Sequence, residues 1–152
     1  MLIGAAAAVL AAVAVGAVFL VFSPDSRAGP TRAEYFARVA SICRVYGPKL
    51  DRIRPPDASG AGDVVAAIRL ALPLIQAQER DVKALEAPGE LRPKLARWFE
   101  LQDRRIAMLE NALAAARRQD YLAVGVAYTD FTLSGPETAR LGEEIGVPHP
   151  PC

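Results

Sequence analysis

Few residues of this chain combine a reactive type with a chemical spacing. The clearest are two cysteines, Cys43 and Cys152, and a single histidine, His149. A metal site needs more ligands at suitable spacing than these supply. A catalytic dithiol usually sits as Cys-x-x-Cys, which is absent. The pair reads as a structural disulfide in preference to a redox or metal pair. Such a bond would close a loop of roughly 110 residues, worth about 4–5 kcal/mol in the chain-entropy picture before strain.

Other chemistry finds even less support. Ser41 and Ser134 lack the glycine elbow of a nucleophilic serine, and His149 lies in a Pro-His-Pro-Pro tail. A bundle-core di-metal site wants Glu-x-x-His on two helices, and no such motif occurs. No glycine loop could cradle a phosphate. The expectation is a protein without catalytic, cofactor-binding or metal-binding residues, and not an enzyme.

Two features are harder to dismiss. Glu79, Gln102 and Arg105 fall within or beside the apolar arcs of two successive helices, and a hairpin at Pro88-Gly89 could bring them together. They read either as a polar contact fixing helix register or as the polar end of a small-ligand pocket. Trp98 adjoins Phe99, and neighbours on a helix point about 100° apart, so both cannot face the core centre. Trp98 is expected at the core rim. Trp98, Leu101 and Met108 could then form a partly open patch for a partner.

These residues are carried by helices, behind a membrane segment. Leu2 to Phe22 is 21 residues without charge or proline. As a helix it spans roughly 32 Å, close to the hydrocarbon thickness of a bilayer. It reads as a transmembrane signal anchor. The alternative is a cleaved signal peptide, with Ser26 and Ala28 before a cut at Gly29, although the run exceeds the usual signal core. Arg27, Arg32 and Arg38 follow the run and only Met1 precedes it, which by charge alone would leave the domain in the cytoplasm. The cysteine pair argues for the outside, and the reading follows the cysteines. Eighteen basic and seventeen acidic side chains nearly cancel and are mixed along the helices, so there is no stripe for nucleic acid.

Residues 23–30 form a linker, and 31–152 the domain. Thr31 and Glu34 make a capping box. Phe36, Val39, Cys43, Tyr46, Leu50 and Ile53 then follow at spacings of three and four, with a kink expected near Pro48. A second helix, capped by Asp63 and kinked at Pro73, runs to about Glu86 with Val64, Ile68, Leu72, Ile75 and Val82 as its stripe. A third, about 90–118, carries Leu95, Phe99, Ile106, Leu109 and Leu113. A fourth starts at Asp120, carries Tyr121, Val124, Tyr128, Phe131 and Ala139 as its stripe, is interrupted at Gly135-Pro136 and ends at Gly146. The predicted fold is all-α: an N-terminal transmembrane helix, then an up-and-down antiparallel four-helix bundle with kinked helices.

The string Glu34-Tyr-Phe-Ala-Arg-Val-Ala-Ser-Ile-Cys43, a later Leu141-Gly-Glu-Glu-Ile-Gly-Val and the final Cys152 resemble a broad group of actinobacterial envelope proteins, secreted or anchored helical bundles. The resemblance covers Thr31 to Cys152. It implies a bundle with a Cys43–Cys152 disulfide, and no activity. This chain departs from the group in the prolines and histidine before Cys152. It also has no cysteine at the end of the apolar run, so no lipid anchor is implied. The expected protein is a single-pass, extracytoplasmic module, held in the membrane by its first helix and contacting other envelope proteins. The alternative is a module binding a small apolar ligand between its helices.

Overall fold

A computed structural model describes residues 29–53 and 60–147. The segment 2–22, the tail with His149, and Cys152 lie outside the described residues.

Within them the chain is all-helical, as expected. Helix α1 is Arg32–Asp51, α2 Ala61–Lys83, α3 Arg92–Arg117, α4 Tyr121–Leu133 and α5 Gly135–Ile145. Helices α4 and α5, separated only by Ser134, are the interrupted fourth helix of the sequence pattern. None of the described helices is long and apolar enough to cross a membrane.

Local chemistry sets the ends. The Thr31 hydroxyl accepts from Glu34 N at 3.3 Å, and Glu34 Oε2 accepts from Thr31 N at 2.8 Å. The capping box is thus in place, and the bond from the Thr31 backbone holds the Glu34 carboxyl below its ordinary pKa. Helix α1 continues through Pro48 to Asp51, and α2 continues past Pro73 to Lys83. Asp63 is not the cap of α2. Gly60 is, and its carbonyl takes the bonds from Asp63 N and Val64 N. That leaves Asp63 in the first turn, where its charge faces the positive helix end. Gln119, between α3 and α4, adopts φ 60°, an uncommon left-handed conformation for a residue with a side chain. Gly146 stops α5 at φ 87°, with Val147 N donating back to Gly142 O at 2.9 Å.

The core forms in three layers. The first joins Tyr35, Val39, Val82, Leu95, Trp98, Leu141 and Ile145, with contributions from α1, α2, α3 and α5. The middle layer is Ile68, Leu72, Leu109 and Ala112, backed by Phe131. The last is Val65, Ala115 and Val124. Helix α1 supplies no residue to the second or third layer. Among the described residues, four elements therefore close the core at one end of the bundle, and α2, α3 and α4 supply it at the other. At the closed end, Arg32 Nη2 donates to the carbonyl of Ile145 at 2.8 Å, tying the start of α1 to the end of α5.

Candidate functional site

Of the three residues expected to form one polar pocket, Gln102 and Arg105 stay together, and Glu79 takes other partners. Glu79 faces Lys83, at 3.2 Å, and Lys83 Nζ donates to Asp103 Oδ1 at 2.7 Å. This is a seam between α2 and α3. Burial raises the Glu79 pKa, and the bond from Lys83 only partly offsets it. Burial alone would lower the Lys83 pKa, yet the bonds to Asp103 and Glu79 outweigh it and the net direction is up. Lys83 also lies over the Phe99 ring at 5.5 Å.

Arg105 belongs to a different seam, against α4. Its guanidinium sits 4.4 Å from the centre of the Phe131 ring, and Nη1 donates to Gln102 Oε1 at 3.5 Å. Burial depresses its pKa. Among the described residues its Nε has no hydrogen-bond partner, and neither has Nε2 of the buried Gln78. The reason for the split is angular: Asp103, one residue beyond Gln102, turns about 100° away and captures Lys83 instead. The polar contact between α2 and α3 is therefore Glu79–Lys83–Asp103.

The proposed Trp98 patch is also corrected. Trp98 is 9% exposed and belongs to the first core layer with Leu101, and Met108 is half-buried. Trp98, rather than Phe99, occupies the centre. Space for the indole comes from α5, where Gly142 has no side chain: a Cβ there would lie 3.4 Å from Trp98 Nε1.

An exposed apolar surface does exist, on α4. Leu122 is 81% exposed and Leu133 72%, and Tyr121 and Val126 are each more than half exposed. Tyr121, Leu122, Gly125, Val126, Thr129 and Asp130 line a shallow groove of about 340 Å³. Sequence reasoning placed Tyr121 on the buried stripe and passed over Leu122, Val126 and Leu133. The signal was present in Tyr-Leu-Ala-Val-Gly-Val-Ala-Tyr-Thr-Asp-Phe-Thr-Leu. This helix is apolar on every side, and one rod of a bundle cannot bury every side.

Cys43 is half-buried against the first layer, and among the described residues no cysteine is free. No group of three or more His, Cys, Asp or Glu among them could hold a metal ion. Comparison of the chain with protein-family models, curated proteins and solved structures returns no match.

Proposed function

We propose that this protein is a non-enzymatic interaction module of a cell envelope, anchored through residues 2–22 with its bundle outside the cytoplasm. The observation that carries the reading is the outward face of α4. A small monomer seldom leaves several large apolar side chains, here Leu122, Val126 and Leu133, open to water on one stripe of a helix unless something docks there. The uncharged length of 2–22 supports the anchor. A Cys43–Cys152 disulfide is part of the proposal and argues for the oxidising side. Val147 packs in the same core layer as Cys43. The five residues after it extend at most about 17 Å, which is reach enough for a bridge within that layer.

Fractionation of cells making the full chain tests this. The protein should resist high-salt and carbonate washing, its bundle should be cleaved by protease added outside once the wall is removed, and thiol labelling without reductant should find no free cysteine. A soluble form starting near Gly29 would replace the anchor with a cleaved signal. Protection from protease would put the bundle in the cytoplasm. Two free thiols, or a disulfide-linked pair of chains, would remove the bridge.

A further inference from the structure

We infer that the outward face of α4 is a homodimer surface, on which a second copy of this chain packs its own α4 antiparallel. The inference names a partner for the interaction surface and does not depend on the membrane anchor. Leu122, Val126, Thr129 and Leu133 follow one another at spacings of four, three and four and lie on one exposed stripe of the helix. The spacing is the same read from either end. A two-fold axis between Ala127 and Tyr128 therefore sets Leu122 against Leu133 of the other copy, and Val126 against Thr129. An isologous contact requires such self-matching.

Charge agrees with the antiparallel sense. Arg117 and Arg118 precede α4, and Glu137 follows it in the first turn of α5, all three exposed. Arg117 and Arg118 outweigh the exposed Asp120 at the start of α4, so the same axis sets each copy's net-positive end towards the other's Glu137 end. Parallel pairing would bring arginines together. Gly125 borders the stripe, and a Cβ there would meet nothing within 4 Å. The four residues Leu122, Gly125, Val126 and Thr129 have the i, i+3, i+4, i+7 spacing of a hole that receives a knob from a facing helix.

Other occupants fit less well. The N-terminal segment enters the bundle beside Glu86, where a Gly29 Cβ would lie 3.4 Å from its carboxylate, at the closed end. Leu122, at the start of α4, lies beyond the far end of the roughly 39 Å helix α3. The six residues 23–28 reach at most about 20 Å, short of Leu122. A bilayer surface would meet the Asp130 carboxylate within the groove. One face of a 13-residue helix is smaller than the roughly 800 Å² that each partner of a standard stable complex covers. The dimer is accordingly weak and concentration-dependent.

The test uses the full chain in detergent, with mass measured by light scattering over a concentration series. The wild type should pass from monomer to dimer. Leu122→Glu and Leu133→Glu should each raise the half-dimerisation concentration by roughly 100-fold or more, since each change enters a two-fold interface twice. Combining Leu122→Glu with Leu133→Lys should restore dimerisation, because position 122 then meets a lysine of the other copy. A monomer at all concentrations, a dimer indifferent to the single changes, or a failed rescue would overturn the proposal. A photo-crosslinking residue at 122 checks it without altering the core. Capture of the peptide containing Leu133 from a second copy supports it, and capture of lipid or of residues 1–28 overturns it. Failure here leaves the anchoring experiment untouched.

Discussion

The two ends of the bundle are built from similar helices and differ in how much of each helix is covered. At the end shared by α1, α2, α3 and α5, large side chains such as Tyr35, Trp98 and Ile145 are enclosed. At the other, three helices meet through the small residues Val65, Ala115 and Val124, and larger neighbours face outward. Val124 is 1% exposed and Val126, two residues on, is 55% exposed. The difference between them is not hydrophobicity. It is whether another helix lies opposite: Val124 faces α2 and α3, and Val126 faces water.

Truncating one large side chain at each end should give very unequal losses of stability. Trp98→Ala should cost about 3–5 kcal/mol, from lost burial and the cavity left between α3 and α5. Leu122→Ser, at low concentration where the chain is monomeric, should stay within about 0.5 kcal/mol of wild type. Urea unfolding followed by circular dichroism reads both. Equal losses would mean that the two ends are covered alike.

The same contrast explains what the sequence discloses. Apolar spacing located the helices and the interruption at Gly135-Pro136. The capping box at Thr31 and the stop at Gly146 were legible because each depends on a few adjacent residues. Register against other helices was not. In α1 the stripe through Phe36 and Val39 was right in period, yet the most buried side chain is Tyr35, one position away. A rotation of 100° preserves the spacing and changes which residue meets the core. Arg105 and Glu79 both lie among apolar residues in sequence. Only the packing decides that one stacks on Phe131 and the other pairs with Lys83. In α4 the periodic signal fails outright, because apolar residues occur at all angles.

A smaller effect is expected where α5 closes onto α1. Gly146 holds φ 87°, and a Cβ there would sit 3.0 Å from Arg32 Nη2 and 3.5 Å from the Phe36 ring. Gly146→Ala should therefore cost about 1–2 kcal/mol for the left-handed backbone. It should also loosen the bond from Arg32 to the Ile145 carbonyl. Hydrogen exchange in α5 should rise more than in α4. If the two helices respond equally, the closed end is not clamped by this contact.

The smallest effect concerns the polar seam between α2 and α3, and it is a slope with pH. Burial makes the folded chain hold the Glu79 proton above the ordinary value of 4.5, while the unfolded chain releases it near that value. The folded state thus binds more protons through this window, and the group's favourable contribution is complete below 4.5 and is lost as pH rises through the folded value. Glutamine in its place does not ionise. Glu79→Gln also removes one partner of Lys83, but Asp103 stays at 2.7 Å, and Lys83 remains charged throughout the window, so this loss is a nearly constant offset. The stability of Glu79→Gln relative to wild type should consequently improve as pH rises from 4 to 7. Parallel urea titrations at several pH values measure it. A difference that worsens with pH would mean that attraction to Lys83 exceeds the cost of burying the carboxylate, and that the seam holds an ion pair the fold favours rather than one it tolerates.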